Sequence, residues 1–295
     1  MLKCTGKIAK TYHADPEARI YNGKYYIYAT KSRAYRQQKN IDLYVSEDGE
    51  KWKEIKDIID MSTFPYAWQA VWAPSIVEKN GLYYLIFAVN DIQSDDEDGG
   101  LEVAVSENPE GPFVNHIGTH LIGKFINGAQ PIDAHFFKDD DGKIYLFYGG
   151  WGHCNVALMN EEMNGFEPLP DGSMFKEITP AEYCEAPCMF KRDGKYYFMW
   201  SAGGWGDDSY RVVNTVLGKP YDKPGNAETI LVSDYNVAKS PGHNGYIEDT
   251  DGQFYIVYHR RPLDKTIRHC RSLAIDKMDF DCDGNIKKIQ MTKGE

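Results

Sequence analysis

The sequence repeats one two-part pattern five times, and this repeat restricts the fold more than any other feature of the chain. Each copy has a short apolar run, a turn that contains Asn-Gly or Asp-Gly, and an alternating run rich in aromatic residues. Such a turn between two strand-like runs is typical of a β-hairpin, because a type I′ turn needs positive φ at both central residues. The copies are DPEARIYNGKYYIYAT (15–30), APSIVEKNGLYYLIFAVN (73–90), DAHFFKDDDGKIYLFYGG (133–150), EAPCMFKRDGKYYFMWSAG (185–203) and HNGYIEDTDGQFYIVYHRR (243–261).

The spacing of the copies and the segments between them indicate the architecture. The start positions are 15, 73, 133, 185 and 243, so successive copies begin 58, 60, 52 and 58 residues apart. After each hairpin comes a second strand-like run, a polar turn and an aromatic residue that opens a further strand. Two hairpins per repeat form a four-stranded antiparallel sheet, and a period of this size is typical of repeat architectures. We therefore predict an all-β fold, a five-bladed β-propeller with four antiparallel strands per blade.

The repeat extends through nearly all 295 residues, so we predict a single catalytic domain over residues 1–295. The blades are expected near residues 15–60, 73–120, 133–170, 185–232 and 243–290. Residues 1–14 are expected to supply a short leading strand that completes the last blade and closes the ring.

Charge and composition limit the partners and the compartment. The net charge of −11 argues against nucleic acid or an anionic membrane surface, since both need basic patches. No apolar run reaches membrane-spanning length, and the first residues lack the apolar region of a signal peptide. We expect a cytoplasmic protein with free thiols, unless a leader has been removed. The cysteines are Cys4, Cys154, Cys184, Cys188, Cys270 and Cys282.

The first strand of each propeller blade faces the central axis, so the residues that begin these strands meet at one mouth of the ring. In chain order they are Asp15, Trp72 or Ala73, Asp133, Glu185 and His243. Any single acid at such a position could simply cap a turn. Three acids at equivalent positions are costly for folding, because carboxylates are depleted in strands and like charges repel, and they therefore indicate a functional site.

Crowded carboxylates shift each other's pKa, so that one stays protonated while another is ionised. An acid and a base on either side of a cavity are what hydrolysis of a glycosidic bond requires. The acid protonates the leaving oxygen, and the base either attacks or activates a water molecule. Opposite blades are far enough apart to admit that water, which favours inversion of the anomeric centre.

At these residues the sequence resembles glycoside hydrolase family 43. The resemblance implies a five-bladed propeller with three acids in the order Asp, Asp and Glu, and it extends over essentially the whole catalytic domain. The matching segments are HADPEARIYNGKYYIYAT (13–30), VWAPSIVEKNGLYYLIFA (71–88), PIDAHFFKDDDGKIYLFYGG (131–150), EAPCMFKRDGKYYFMWS (185–201) and SPGHNGYI (240–247).

The resemblance implies a role for each matched acid. Asp15 would be the general base and Glu185 the general acid, while Asp133 would tune the pKa of the acid and orient the sugar. His243 matches a histidine near the propeller axis that holds a calcium ion or its water shell in many members. A core histidine without an ion is the alternative, and no cofactor is required for the chemistry.

Two further residues are expected to contact the substrate. Trp72 matches an aromatic residue that lines the cleft, where it would stack on the apolar face of a sugar. An arginine of the last blade contacts the substrate in this family, and Arg271 is the first candidate, with Arg268 and Arg260 as alternatives.

The predicted function is that of an inverting exo-glycosidase, an α-L-arabinofuranosidase or β-D-xylosidase acting on short arabinoxylan oligosaccharides. The first alternative is an endo-arabinanase of the same family, which would need an open groove across the propeller face. The second is a propeller that binds glycans without cleaving them, although a lectin would not need three acids at the strand starts.

Overall fold

The computed structural model describes residue 2 and residues 5–294, and Cys4 therefore lies outside the described residues. The chain forms five antiparallel sheets arranged as a five-bladed β-propeller, which confirms the predicted fold. In the described chain no helix is long and apolar enough to cross a membrane. The extent of a single domain over residues 1–295 stays a prediction.

The strands of the first two blades follow one another in chain order. Blade one contains β2 (His13–Tyr21), β3 (Lys24–Lys31), β4 (Ile41–Ser46) and β5 (Lys53–Ile55). Blade two contains β6 (Trp72–Lys79), β7 (Leu82–Val89), β8 (Gly100–Ser106) and β9 (Val114–Asn115). Two short 3-10 helices, Tyr35–Gln37 and Met61–Thr63, lie in the connections.

Blade three has a divided outer edge, because two short strands both pair with its third strand. Its strands are β10 (His135–Lys138), β11 (Ile144–Tyr148), β12 (Asn155–Met159), β13 (Phe166–Glu167) and β14 (Lys176–Glu177). Blade four contains β15 (Tyr183–Arg192), β16 (Lys195–Ala202), β17 (Arg211–Leu217) and β18 (Glu228–Leu231).

Blade five joins the two ends of the chain. It contains β19 (Lys239–Glu248), β20 (Phe254–Arg261), β21 (Ser272–Met278) and, from the start of the chain, β1 (Gly6–Lys7). Strand β1 pairs with β21 in antiparallel fashion, with Gly6 opposite Ile275. The predicted leading strand therefore completes the last blade and closes the ring.

Aromatic side chains of the repeats fill the space between neighbouring sheets. Phe147 of blade three and Phe198 and Trp200 of blade four are fully buried in one cluster, with ring centroids 5.6 Å apart in both successive pairs. Burying large apolar surfaces of this kind is the main favourable contribution to the folded state. The alternating aromatic runs therefore hold adjacent blades together and fix the positions at which the inner strands begin.

Candidate active site

A cavity of about 330 Å³ opens at the mouth of the propeller where the inner strands begin. Its walls come from all five blades and from the loops above them. The lining residues are Asp15, Tyr35, Trp72, Asp91, Gln93, Gln130, Ile132, Asp133, Trp151, Cys184, Glu185, Trp205, His243 and Arg271.

The structure brings all six predicted site residues together in this cavity. They are Asp15, Asp133, Glu185, Trp72, His243 and Arg271. The two alternative arginines lie elsewhere. Arg260 is buried and donates to the Tyr258 hydroxyl and the Lys293 carbonyl, and Arg268 lies over the Trp205 ring on the exposed side.

In every blade a residue in the left-handed backbone conformation lies near the mouth, in the inner strand or, in blade three, just before it. The φ angles are 53° at Asp15, 52° at Ala73, 54° at Asp133, 59° at Ala186 and 44° at His243. In blades one, two, four and five the strand pairing shifts at this residue, as a β-bulge requires. A bulge bends the strand and re-aims its side chains, here at the mouth of the ring.

This pattern corrects the predicted register of one acid. Ala186, and not Glu185, is equivalent to Asp15 and Asp133. The number of residues between the strand start and the turn glycine depends on the length of the hairpin loop. This loop has five residues in blade three and two in blades one and four, so equal spacing does not mean equivalent position. Glu185 lies one residue earlier, where Trp72 lies in blade two, and still lines the cavity.

Asp15 lies among cationic and imidazole groups. The Arg271 guanidinium donates to Asp15 Oδ1 over 2.9 Å, and the Nδ1 atoms of His243 and His259 each lie 3.4 Å from the same oxygen. Burial opposes ionisation of this carboxyl, but Arg271 and the two histidines outweigh it and lower the pKa of Asp15 below its ordinary value. Asp15 is therefore ionised, as a base must be.

Glu185 lies in a different environment. Burial raises the pKa of its carboxyl, and the negative charge of Asp15 acts in the same direction. The Tyr210 hydroxyl donates to Glu185 Oε1 over 2.8 Å, which lowers the pKa and only partly offsets the effect of burial. The result is a carboxyl that keeps its proton at higher pH than an exposed glutamate, as a general acid must.

The surroundings of Asp133, like those of Glu185, favour its protonated form. Burial, followed by the negative charges of Glu185 and Asp15, raises the pKa of Asp133 well above its ordinary value. His243 lies between the two aspartates, with its Nδ1 atom 3.5 Å from Asp133 Oδ2, and burial lowers the pKa of this ring. Asp133 and Glu185 therefore titrate as an interacting pair rather than independently.

Aromatic rings form part of the cavity wall. Trp72 packs edge-on against Tyr35 with ring centroids 4.8 Å apart. The indole Nε1 of Trp72 is buried and finds no hydrogen-bond partner among the residues that the structure describes. On the other side, the Arg271 guanidinium lies 5.2 Å from the centre of the Trp205 ring. Aromatic faces and an unpaired N–H donor suit an amphipathic ligand such as a sugar.

Several residues of the site were not predicted from the sequence. Asp91 is a fourth acid in the cavity, and its Oδ1 atom accepts from the Gln130 side chain over 3.0 Å. Burial raises the pKa of Asp91 to about 6. The other unpredicted residues are Tyr35, Gln93, Trp151, Trp205, Tyr210 and His259. Of these, His259 lies within the fifth hairpin copy and Tyr210 is the first residue of the strand-like run that follows the fourth copy, whereas the others lie in connections between predicted strands.

The axis below the acids is a poor match for a calcium cage. Glu17, two residues after Asp15 on the same strand, accepts from Ser75 over 2.7 Å, lies 3.0 Å from His135 Nδ1 and forms an ion pair with Arg19. Its oxygens are thus already bonded, whereas calcium takes six to eight oxygen ligands. His243 would supply one ring nitrogen as a ligand at the axis, and its Nδ1 atom faces Asp15 and Asp133.

A single group of side chains has metal-ligand spacing in the described part of the chain, and it lies away from the axis. It consists of His13, Asp42 and Glu54. His13 Nε2 lies 3.0 Å from Asp42, and Lys31 lies 3.2 Å from the same carboxylate. Lys31 thus already supplies a positive charge to the carboxylate of this group. No step of the chemistry is therefore assigned to a metal ion.

A five-bladed propeller that holds an ionised carboxyl and a carboxyl of raised pKa in one cavity is suited to glycoside hydrolysis, and comparison with known proteins identifies the family. The family model for glycosyl hydrolases family 43 matches residues 7–286. The chain therefore belongs to glycoside hydrolase family 43, which confirms the resemblance stated from the sequence.

Individual relatives agree over nearly the whole chain. The β-D-galactofuranosidase of Aspergillus niger is 36% identical over 294 residues, which cover 95% of this chain and 83% of that protein. The β-xylosidase of Xylanibacter ruminicola is 27% identical over 326 residues, with coverage of 95% and 97%. Among solved structures, an α-L-arabinofuranosidase of Clostridium thermocellum has a TM-score of 0.76 at 26% identity, covering 98% of this chain and 97% of that one.

Proposed function

We propose that this protein is an inverting exo-glycosidase that removes a terminal arabinofuranosyl or xylosyl residue from short oligosaccharides such as those of arabinoxylan. The observation that carries the proposal is the contrast between two carboxyls in one cavity. Arg271 lies 2.9 Å from Asp15 and keeps it ionised, whereas burial raises the pKa of Glu185.

In the proposed mechanism Glu185 donates its proton to the glycosidic oxygen as the bond to the sugar breaks. Asp15 takes a proton from a water molecule that attacks the anomeric carbon from the opposite face. Burial and the negative charges of Glu185 and Asp15 favour the protonated form of Asp133, so that it orients the sugar by a hydrogen bond, while its effect on the pKa of Glu185 stays a prediction. The products are the free sugar with inverted configuration and the shortened oligosaccharide.

The choice of sugar has three candidates. Relatives named above act on xylosides, arabinofuranosides and galactofuranosides. α-L-Arabinofuranose and β-D-galactofuranose share the arrangement of their ring hydroxyls and differ by one hydroxymethyl carbon. A cavity of about 330 Å³ is near the lower end for ligand pockets, which favours a terminal unit over an internal segment of a polymer.

The remaining parts of the proposal concern location and ions. A cytoplasmic enzyme would act on short imported oligosaccharides rather than on polymers. Because His243 is the one side chain that the described axis offers, a calcium ion there would take most of its ligands from water, would be structural, and would take no part in proton transfer. Activity that survives exhaustive treatment with a chelator, together with metal analysis of the purified protein, tests the ion.

The deciding experiment compares three p-nitrophenyl glycosides: the α-L-arabinofuranoside, the β-D-xyloside and the β-D-galactofuranoside. We expect hydrolysis of at least one, with a loss of roughly 100- to 10,000-fold in Asp15→Asn, because general acid–base groups contribute that much. Glu185→Gln should lose less on these activated substrates, and Glu161→Gln, an exposed glutamate of blade three, is the control. NMR of the first-formed anomer reports inversion.

Each outcome has a distinct meaning. Hydrolysis of one glycoside with a normal rate in Asp15→Asn would overturn the assignment of the base. No hydrolysis of any of the three would overturn the exo-glycosidase proposal for these sugars. Release of oligosaccharides from linear arabinan in that case would establish the endo-arabinanase alternative, and binding without cleavage would establish the lectin alternative.

A further inference from the structure

Tyr210 makes a buried contact with the predicted general acid that the mechanism above does not use. Its hydroxyl donates to Glu185 Oε1 over 2.8 Å, and its side chain is fully buried. A hydrogen bond to an ionisable group in a buried site is stronger than one exposed to water. The contact is therefore able to fix both the position and the proton of the carboxyl.

The direction of this hydrogen bond is set by a second residue. Ser201 Oγ accepts the backbone N–H of His243 over 2.8 Å, which leaves the serine proton free for another acceptor. Burial raises the pKa of the Tyr210 phenol, whereas Ser201 lowers it, as a hydroxyl that donates to the phenol oxygen does. Since Tyr210 accepts from Ser201, its own proton points to Glu185 Oε1. The proton of the acid then belongs on Oε2.

The ring of Tyr210 is held by packing as well. A Cβ atom at Gly242 would lie 2.0 Å from the Tyr210 ring, so glycine at that position makes room for it. The Tyr210 ring also stacks on His259 with a centroid distance of 5.7 Å and an angle of 14°. His259 Nδ1 in turn accepts the backbone N–H of Asp15 over 3.2 Å. Tyr210 thus lies between the elements that hold the acid and the base.

We propose that Tyr210, held by Ser201, is the positioning residue of the general acid. It binds Oε1 of Glu185, so that Oε2 carries the proton and faces the glycosidic oxygen. This inference rests on the proposed function, because it assigns to Glu185 the role of proton donor. It goes beyond that function by naming the residues that decide which carboxyl oxygen reacts.

The test is Tyr210→Phe, which removes one hydroxyl and keeps the ring. Substrates with poor leaving groups, such as the methyl glycoside of the preferred sugar, need the proton of the acid most. On these we expect kcat/KM to fall roughly 10- to 100-fold, in line with a lost hydrogen bond to an ionisable group. The 2,4-dinitrophenyl glycoside, whose leaving group needs no proton, should lose less than about threefold on the same reasoning.

The pH profile gives a second readout. The Tyr210 hydroxyl lowers the pKa of Glu185, so its removal raises that pKa. The acid then keeps its proton to higher pH, and the basic limb of kcat/KM moves upward. A residue that only stabilises the fold would lower activity on both substrates alike and would leave this limb in place.

Matched variants complete the design. Tyr258→Phe removes another buried tyrosine hydroxyl, which donates to Asp276 over 2.7 Å outside the cavity, and should leave the leaving-group dependence unchanged. Ser201→Ala should show the signature of Tyr210→Phe at smaller amplitude. Gly242→Ala should show it as well, because the added Cβ displaces the Tyr210 ring.

The outcomes separate this inference from the proposed function. If the wild-type protein hydrolyses none of the glycosides, the proposed function fails and the inference falls with it. In a second outcome the wild type is active, while Tyr210→Phe and Ser201→Ala lower kcat/KM equally on the methyl and the 2,4-dinitrophenyl glycoside, or lower it on neither. In that case only the inference is wrong. Should Tyr210→Phe fail to fold, as judged by circular dichroism, Ser201→Ala decides the question alone.

Discussion

Asp15 and Asp133 show how neighbours decide the chemistry of identical side chains. Both occupy the left-handed position of an inner strand, and both are nearly buried, with 6% and 7% of their surface exposed. A guanidinium 2.9 Å from Asp15 favours its charged form. In the described chain the ion-pair partner of Asp133 is His243, and burial lowers the pKa of that histidine. Burial and the negative charges of the nearby acids favour the neutral form of Asp133.

The sequence could predict the three acids but not their protonation states. The repeat places acids at the strand starts, and the resemblance assigns roles to them. The pKa of each depends on Arg271, Tyr210 and burial, which no spacing reveals. Gly242 in the segment SPGHNG was the available signal for a close neighbour, because a position without a side chain admits another group.

Arg271→Met tests the origin of the charge on Asp15. Burial raises the pKa of Asp15 and the Arg271 guanidinium lowers it, so removal of the guanidinium lets this pKa rise. The base is then protonated at higher pH, and the acidic limb of kcat/KM moves upward, so that the rate falls roughly 10-fold for each pH unit below the new pKa. Rate measurements between pH 4 and pH 9 check this shift.

Arg268→Met is the matched control for that experiment. Arg268 lies over the same Trp205 ring, with 4.7 Å from its guanidinium carbon to the ring centre, but forms no ion pair with Asp15 in the described part of the chain. Its substitution should leave the acidic limb where it is. An equal shift in both variants would mean that Trp205, rather than the charge next to Asp15, controls the base.

At the scale of elements, the hairpins were predictable and the bulges were not. Asn22-Gly23 forms a two-residue loop between Tyr21 and Lys24, as the turn pattern predicts. The bulges depend on how each strand approaches the axis, and two of them have alanine at the left-handed residue, with no signal in the residue type. Counting from turn glycines therefore placed Asp133 correctly and Glu185 one residue off.

Ala73 offers a direct test of the strain in these bulges. A non-glycine residue at a φ of 52° costs about 1–2 kcal/mol relative to glycine, and a β-branched residue costs more. We expect Ala73→Gly to raise the free energy of unfolding by up to about 1 kcal/mol and Ala73→Val to lower it by about 2 kcal/mol or more. Urea unfolding measures both changes. A more stable Ala73→Val protein would contradict the assigned backbone conformation.

At the scale of the whole molecule, the propeller gathers side chains that are far apart in sequence. Asp15 and Arg271 are 256 residues apart and form one ion pair. The repeat predicts such convergence for strand positions, because all inner strands point at one axis. It does not predict the loop residues Tyr35, Asp91 and Trp205, since loops differ from blade to blade in length and in composition.

The ring closes where the first strand meets the last blade, and this closure has a measurable free energy. Gly6 of β1 has a φ of 85°, and a Cβ atom there would lie 2.2 Å from the backbone nitrogen of Gly294. Gly172 has nearly the same φ, 86°, but nothing lies within 4 Å of the added atom. The two glycines thus share the backbone penalty for alanine and differ in the contact.

Gly172→Ala should lower the free energy of unfolding by about 1–2 kcal/mol, the cost of alanine in the left-handed region. Gly6→Ala should lose about 1–3 kcal/mol more, because the methyl group forces the closing strand away from the chain end. Urea unfolding measures the difference, while kcat per folded molecule should stay unchanged, since Gly6 is not among the residues that line the cavity. Equal losses in the two variants would show that the contact between Gly6 and Gly294 does not contribute to closing the ring.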